Sequence, residues 1–203
     1  MPFATLLFAT QAAADTSGVD LFNRFLQTTQ TFEAGFVQQV RDDAGAVLEE
    51  AGGRVWLHRP GRFRWHYSEP FEREIVSDGK QLWMFDAELE QVTVARLTSG
   101  LGKTPAGILS GDTEVLEKFS AGPVSEVDGI SWIELRPKQA DSDFAEVGLG
   151  FAGTMLAQLM LKDRLGQTTA IVFTDAVLNP QLADELFVFE VPENADVIEH
   201  SGF

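Results

Sequence analysis

Apolar and polar residues alternate with a period of two along most of this chain, which is typical of β-strands that bury one face. Turn signals such as Asp78-Gly79 and Asp128-Gly129 separate the alternating runs. Sequential strands with short links indicate one antiparallel meander, either a strongly curved sheet or an open barrel. The pattern predicts a short helical turn and a last strand in LNPQLADELFVFEVP, and earlier strands near residues 31–41, 46–58, 63–69, 72–78, 80–86, 90–97, 122–127, 130–136, 144–151, 154–162 and 167–175.

Two segments have helical spacing instead. Residues 17–30 carry an apolar stripe at intervals of three and four behind Ser17, which is a suitable N-cap. Residues 101–119 predict a short helical pair inserted between strands. Pro105 suits the first position of its first helix, and Asp112 suits the cap of its second.

The segment RVWLHRPGRFRWHYSEP, residues 54–70, predicts a β-hairpin whose register needs to be chosen. A two-residue loop would mix apolar and charged residues on each face, whereas the loop Pro60-Gly61-Arg62 separates them. Register follows the apolar pattern because a slip of one residue exchanges the two faces. We therefore expect the longer loop, which leaves one charge on an otherwise apolar face. The longer loop pairs Arg59 with Phe63, Leu57 with Trp65, and Val55 with Tyr67.

Several predicted strands are apolar on both faces. Examples are QLWMF (81–85), TMLAQLMLK (154–162) and TTAIVFT (168–174). An antiparallel sheet commonly exposes one face to water, so such strands need cover on both faces or line an apolar cavity. The 16 Phe and 4 Met of the chain agree with an apolar interior.

Charge restricts the partners that this chain can bind. Its 203 residues include 15 Lys and Arg against 31 Asp and Glu, giving a formal net charge of −16. Such a chain repels phosphate backbones and anionic membrane surfaces, so we expect no nucleic-acid partner. The absence of cysteine excludes disulfides, thiolate catalysis and lipid modification at an N-terminal cysteine.

Residues 1–14 predict a signal peptide, which leaves residues 15–203 as a single domain. The segment MPFATLLFATQAAADT has a short apolar run, and Ala12-Ala13-Ala14 before Asp15 matches an A-x-A cleavage site. The lack of Lys or Arg before the apolar run departs from the usual pattern. We expect export from the cytoplasm.

The motifs of common enzyme classes are missing from the sequence. GLGKT (100–104) lacks the first glycine of a phosphate-binding loop, because position 97 is Leu. His58, His66 and His200 do not have metal-ligand spacing, and there is no G-x-S-x-G elbow. We therefore expect no catalytic activity, no metal site and no cofactor.

An ordered set of segments resembles the outer-membrane lipoprotein carrier protein family (LolA). The segments are TFEAGFVQQVRD, GGRVWLHRPGRFRWHYSEP, IVSDGKQLWMFDAELEQVTV, KTPAGILSG and LFVFEVPENADVI. The resemblance covers most of residues 17–198. It implies a mainly β fold in which one strongly curved antiparallel sheet forms an open, incomplete β-barrel. An N-terminal helix and a short helical lid inserted mid-chain close this barrel over an apolar cavity for lipoprotein acyl chains.

The resemblance also implies roles for particular residues. The W-x-x-R-P motif of the family falls on Trp56, Arg59 and Pro60, and its arginine faces inward and bonds lid groups. Arg59 is therefore expected to latch the lid by donating to carbonyl groups at a helix C-terminus, which lack partners within the helix. The expected lid residues are Pro105, Ile108 and Leu109. The expected acyl-chain cavity residues are Val55, Leu57, Phe63, Trp65, Tyr67, Trp83 and Phe85.

The implied function is transport through the periplasm. A monomer would carry lipoproteins from an ATP-driven release complex of the inner membrane to the outer membrane, where a lipoprotein receptor is a further expected partner. Two alternatives stay open: a general periplasmic lipid-binding protein without lipoprotein cargo, and an outer-membrane receptor-like module, which would need a lipidated cysteine. A hydrolase acting on lipid or glycan would need a nucleophile or paired carboxylates in a cavity.

Overall fold

The computed structural model of the protein describes residues 18–97, 105–109, 119–138 and 142–199. The predicted signal peptide and the predicted second inserted helix lie outside these residues. The helices are α1 (Gly18–Thr28), α2 (Pro105–Leu109) and a 3-10 helix (Asp184–Phe187). The strands are β1 (Thr31–Arg41), β2 (Val47–His58), β3 (Arg62–Glu69), β4 (Arg73–Asp78), β5 (Gln81–Asp86), β6 (Gln91–Arg96), β7 (Phe119–Val127), β8 (Ile130–Pro137), β9 (Phe144–Ala152), β10 (Met155–Asp163), β11 (Thr168–Leu178) and β12 (Asp196–Glu199).

All twelve strands belong to one sheet, which confirms the prediction of a mainly β fold. The strand order is β12-β6-β5-β4-β3-β2-β1-β11-β10-β9-β8-β7, so β12 and β7 form the two edges and the sheet is open. Every pairing is antiparallel except that of β12 with β6. None of the described helices is long and apolar enough to cross a membrane.

The β2–β3 hairpin differs from the predicted register by two residues. Leu57 lies opposite Phe63, and Val55 lies opposite Trp65. The predicted pairing of Arg59 with Phe63 is wrong, because the loop is Arg59-Pro60-Gly61. Gly61 adopts the left-handed conformation, with φ +74°, so Arg62 is free to begin β3. A shift of two preserves the face of every side chain, and the apolar face of the hairpin is buried as expected.

The core lies on one side of the sheet, which we call the inner face. Helix α1 covers part of it through Phe22 and Phe25, and the Phe25 ring meets Phe151 of β9 edge-on at 5.4 Å. Ile108 and Leu109 of α2 are also fully buried in the same core. Both helices therefore add apolar side chains to a face that the strands alone would leave open.

The outer face is covered over β3–β6 by the C-terminal segment, which we define as residues 179–195. Phe189 of this segment packs on Trp83 and Phe85 of β5, with ring centroids 6.3 and 6.2 Å apart. The outer face of β5 thus has apolar cover, one of the two arrangements expected for a strand that is apolar on both faces. On the outer face of β10 and β11, by contrast, Met160 is 38% and Val172 46% exposed.

The predicted last strand within LFVFEVP is also wrong. This stretch contains the end of the 3-10 helix and irregular backbone, and the last strand is β12, at Asp196–Glu199. The carbonyl oxygens of Leu186 and Val188 accept hydrogen bonds from the Arg64 side chain instead of a neighbouring strand. A side-chain clamp therefore replaces the ladder that the alternating pattern predicted.

Candidate functional site

The inner face of the β2–β3 hairpin is the centre of the candidate site. Aromatic rings from neighbouring strands pack around it: Phe36 of β1 lies 5.0 Å from the Trp65 ring and 5.1 Å from the Tyr67 ring. Phe173 of β11 meets Trp65 at 6.2 Å. The predicted cavity residues on this buried face are Val55, Leu57, Phe63, Trp65 and Tyr67. Their part in binding acyl chains stays a prediction.

Trp83 and Phe85 direct their rings to the other side of the sheet, although Phe85 also contributes to the lining of the cavity described below. Their part in binding acyl chains stays a prediction. Within β5, Leu82 and Met84 belong to the core of the inner face. Alternation along the strand then directs Trp83 and Phe85 outward, against Phe189 of the C-terminal segment. Their partners are protein side chains on the outer face.

Arg59 is buried at the α1 end of the inner face, with 7% of its surface exposed. Its Nη1 donates a hydrogen bond to the carbonyl oxygen of Thr29, the residue that follows α1. Its backbone N–H donates to the Gln30 carbonyl at 2.8 Å, and its guanidinium lies 4.7 Å from the centre of the Phe25 ring. The acceptor is a helix-terminal carbonyl, as predicted for a latch, but it belongs to the end of α1.

The described residues satisfy only part of the Arg59 guanidinium. Within the part of the chain that the structure describes, its Nε and Nη2 have no hydrogen-bond partner and it forms no ion pair. Burial lowers the pKa of Arg59 to about 10, because a low-dielectric environment disfavours its charged form.

The predicted lid residues lie where the inserted segment meets the core. Ile108 and Leu109 are fully buried and Pro105 is partly exposed. Leu97, the last described residue before the insertion, is also buried. A Cβ at Gly61 would lie 3.1 Å from its Cδ2 atom, so this part of the core is closely packed. Movement of these residues as a lid stays a prediction.

The opposite end of the inner face is polar. The Tyr67 hydroxyl donates to Gln38 Oε1 at 3.2 Å, and Arg73 Nη2 lies 2.5 Å from Glu49 Oε1. The Arg73 guanidinium also lies 5.2 Å from the centre of the Tyr67 ring. These four residues line a cavity of about 340 Å³, together with Glu74, Ile75, Met84, Phe85, Asp86, Leu89, Gln91 and Thr93.

Burial raises the pKa of Tyr67 to about 12. The charge of Arg73 opposes this effect, and the charge of Glu49 adds to it. The phenol therefore stays protonated at neutral pH and acts as a hydrogen-bond donor.

Sequence reasoning did not find the role of Arg64, which lies on the outer face. Its Nε and Nη2 donate to the carbonyl oxygens of Leu186 and Val188 at 2.7 and 2.8 Å, and Nη1 contacts both oxygens of Glu74 at 2.9 and 3.0 Å. Arg64 therefore clamps the C-terminal segment to β3 and β4. Its position immediately before a buried Trp gave no signal of a partner about 120 residues away.

The neighbouring outer-face residues hold the same segment. The Phe187 ring meets the His58 ring at 5.7 Å and lies 5.4 Å from the Arg62 guanidinium, which pairs with Asp184 at 2.6 Å. Burial lowers the pKa of His58, the charge of Arg62 lowers it further, and Asp184 raises it.

Asn179 was also missed by sequence reasoning. Its Nδ2 donates to the Thr28 carbonyl at 2.9 Å, and its Oδ1 accepts from the Gln30 N–H at 2.7 Å. Asn179 and Arg59 thus satisfy the carbonyls at the end of α1 from two sides. In the structure Asn179 has a positive φ of +57°. The sequence carried a signal of this turn, because Asn tolerates the left-handed conformation and Asn followed by Pro is typical of turns.

The fold and this face define a class: an open, single-sheet β protein whose apolar inner face is covered by helices. The profile of the family described as "Outer membrane lipoprotein carrier protein LolA" matches residues 27–190. An outer-membrane lipoprotein carrier protein of Methylobacillus flagellatus is 38% identical over 181 residues, covering 89% of this chain and 88% of the relative. One from Methylococcus capsulatus is 37% identical over 199 residues, covering 98% and 95%. The chain therefore belongs to the outer-membrane lipoprotein carrier protein family.

A solved structure agrees with the fold. An uncharacterized conserved protein from Thermus thermophilus aligns with a TM-score of 0.55, covering 90% of this chain and 98% of its own. At 14% sequence identity, this likeness concerns the fold alone.

Proposed function

We propose that this chain is a periplasmic carrier that binds the acyl chains of outer-membrane lipoproteins on its inner face. It would receive them from an ATP-driven release complex of the inner membrane and carry them to the outer membrane, where a lipoprotein receptor would accept them. The observation that supports this proposal is the helical cover. Phe22, Phe25, Ile108 and Leu109 lie on an inner face whose strands are already apolar, so cargo chains could replace one apolar layer by another.

The cavity is small for lipoprotein acyl chains, which supports the proposal that the helical cover moves to admit them. About 340 Å³ is close to the lower limit of pockets for small ligands, roughly 300–1,000 Å³. Three long acyl chains hold on the order of 45 methylenes, and their full burial would provide roughly 36 kcal/mol at ~0.8 kcal/mol each. This exceeds the noncovalent limit of about 20 kcal/mol. A carrier that must release its cargo should therefore cover the chains incompletely and use part of their binding energy to open.

We further propose that Arg59 holds the cover closed. Its hydrogen bond to Thr29 and its contact with the Phe25 ring join the β2–β3 loop to α1. Because two of its donor atoms have no partner among the described residues, the closed arrangement is stabilised only modestly. Cargo that displaces α1 would break this contact, and the closing of α1 after delivery would restore it.

Identification of bound material tests the carrier proposal directly. The chain should be expressed with its leader and purified from periplasm, and both the protein and its cargo should be analysed by mass spectrometry. We expect a chain that begins at Asp15 and bound triacylated lipoprotein. Phospholipid alone would instead support a general lipid-binding protein, and time-dependent cleavage of acyl esters would support a hydrolase.

A matched pair of variants locates the binding face. Ile75 lies in the cavity on the inner side of β4, whereas Val37 is 58% exposed on the outer side of β1. Ile75→Gln should reduce the amount of co-purified lipoprotein several-fold, because it puts a polar group among the acyl chains. Val37→Gln should leave the amount unchanged. Equal amounts from both variants would contradict binding on the inner face.

A further inference from the structure

The polar end of the inner face has a chemistry that the acyl chains do not need. We define the polar mouth as Gln38, Glu49, Tyr67, Arg73 and Asp86. The buried Gln38 and Tyr67 form its inner wall. Arg73 and Glu49 lie further out, with 35% and 39% of their side chains exposed. Polarity therefore rises from the aromatic core towards solvent. This gradient suits an amphiphilic ligand whose acyl chains lie in the core and whose head group lies near solvent.

The polar mouth offers hydrogen-bond donors without partners. Arg73 Nε is buried and has no hydrogen-bond partner among the described residues, although Nη2 of the same guanidinium binds Glu49. The indole N–H of Trp65, on the neighbouring strand of the inner face, is likewise buried without a partner there. An occupant that satisfies these groups must present acceptors. Ester carbonyls at the head of acyl chains are such acceptors.

The charge of the polar mouth disfavours acyl esters that also carry a phosphate group. Asp86 lies opposite Arg73 in the β4–β5 register, and its Oδ1 accepts the N–H groups of Glu88 and Leu89 at 3.0 and 3.2 Å. Two carboxylates, Glu49 and Asp86, thus accompany one guanidinium, and the formal charge is negative. A phosphodiester brought to this place would meet like charge in a partly dry environment. A neutral ester carbonyl would not.

We propose that the polar mouth binds the ester carbonyl groups at the head of a lipid-modified peptide and rejects lipids with a phosphate head. Arg73 Nε and the Trp65 indole N–H are the donors, and Glu49 and Asp86 are the source of the rejection. This proposal rests on the proposed function, because it names the chemical feature by which the carrier distinguishes its cargo from membrane phospholipid.

The first test compares ester-linked and ether-linked cargo. A synthetic dipalmitoyl lipopeptide with an uncharged peptide, and its ether analogue without the two carbonyl groups, should compete with a hydrophobic dye for the purified protein. We expect the ester form to bind about 10-fold more tightly, which corresponds to one hydrogen bond to a charged donor. Arg73→Gln should reduce this preference to less than about 3-fold, while the affinity for the ether analogue stays unchanged.

The second test measures rejection of phosphate. Lysophosphatidylglycerol should bind the unmodified protein at least about 10-fold more weakly than the lipopeptide. The double variant Glu49→Gln, Asp86→Asn should gain about 10-fold in affinity for lysophosphatidylglycerol and change little towards the lipopeptide. Asn retains the turn contacts that Asp86 makes. The control, Glu50→Gln with Glu134→Gln, removes two carboxylates from the outer face and should change neither affinity.

The outcomes separate this proposal from the carrier proposal. If the lipopeptide does not bind at all, the proposed carrier function is wrong, and the proposal for the polar mouth fails with it. If ester and ether analogues bind equally, or if the double variant gains no affinity for lysophosphatidylglycerol, the carrier stands and the polar mouth is not its selective element. Circular dichroism and urea unfolding of each variant establish that it folds.

Discussion

Two arginines on the same inner face are held in opposite ways. Arg59 lies at the α1 end, almost fully buried, and its described partners are a backbone carbonyl and the Phe25 ring. Arg73 lies at the polar end, partly exposed, and pairs with Glu49 over the Tyr67 ring. Each guanidinium lies close to an aromatic ring, at 4.7 Å for Arg59 and 5.2 Å for Arg73, so the difference is in hydration and in the counter-charge.

This difference indicates which contact would break in the proposed opening of the cover. In that opening the buried Arg59 guanidinium would gain water, which would offset part of the cost of losing its hydrogen bond to the Thr29 carbonyl. Arg73 already reaches water and a carboxylate, so opening changes its environment little. The Arg59 end therefore suits a contact that breaks and reforms, and the Arg73 end suits a fixed binding site.

Gly53 lies at the polar end, in one row with Tyr67 and Arg73 across β2, β3 and β4, and its substitution should have the largest effect. A Cβ there would lie 1.9 Å from the His66 carbonyl oxygen, which is backbone and cannot rotate away. Gly53→Ala should therefore lower the free energy of unfolding by at least about 3 kcal/mol in urea. The pKa of Tyr67 should also return towards its ordinary value, because β2 and β3 separate at this point.

The neighbouring glycine is the control. At Gly52 the nearest atom to an added Cβ is the Phe36 carbonyl oxygen at 3.5 Å, an ordinary contact. Gly52→Ala should change the free energy of unfolding by less than about 1 kcal/mol. If both variants lost similar amounts of unfolding free energy, the close approach of β2 and β3 at Gly53 would not be what excludes a side chain there.

Titration of Tyr67 measures the dryness of the polar end. The chain has a single tyrosine, so phenolate absorbance reports this residue alone. We expect a native midpoint near the pKa of about 12, against about 10 in urea. Arg73→Gln should raise the native midpoint and Glu49→Gln should lower it, because their charges act in these directions. A native midpoint near 10 would show that water reaches the phenol freely.

The same shift makes stability depend on pH. The folded state keeps the phenol proton to a higher pH than the unfolded state, so its stabilising contribution is complete below pH ~10 and is lost as pH rises through ~12. The pKa of Arg59, lowered to about 10, acts in the opposite direction. The unmodified protein and Tyr67→Phe both retain Arg59, so the Arg59 contribution cancels when their unfolding free energies are subtracted. The difference in unfolding free energy between the two proteins should fall by roughly 3 kcal/mol across this range.

Arg59→Leu tests the other end. Leucine suits the apolar surroundings, so the fold and cargo binding should persist, while the bond to the Thr29 carbonyl is lost. Loss of one hydrogen bond from a charged donor removes ~1.5–3 kcal/mol from the closed form. Cargo is then held about 10- to 150-fold more tightly and released more slowly. Transfer of labelled lipoprotein to acceptor membranes measures this, and an unchanged transfer rate would contradict the proposed latch.

The sequence predicted the faces of the hairpin but not its register. A period of two determines which side chains point inward, and it cannot distinguish registers that differ by two residues. The position of Gly61, with its positive φ, decided between them. The sequence pattern could not assign the two faces of β5, because this strand is apolar on both of them.

The polar mouth was missed for a related reason. Gln38, Tyr67 and Arg73 lie on three different strands, and each is an ordinary residue near the end of its own strand. Only the pairing of β1, β2, β3 and β4 brings them together. Arg59 was found because the motif around it is continuous in sequence, whereas its acceptor at the end of α1 depends on tertiary packing.

A third arginine completes the comparison and should give the smallest effect. Arg54 lies on the outer face, 5.8 Å from the centre of the Trp56 ring, and pairs with Glu33 at 2.8 Å. Its contacts resemble those of Arg73, but 54% of its side chain is exposed, so water and salt screen the pair. Arg54→Leu should change the free energy of unfolding by less than about 0.5 kcal/mol and leave lipoprotein transfer at the unmodified rate. If this variant slowed transfer as much as Arg59→Leu, burial on the inner face would not be what distinguishes Arg59, and loss of any hairpin arginine would explain both results.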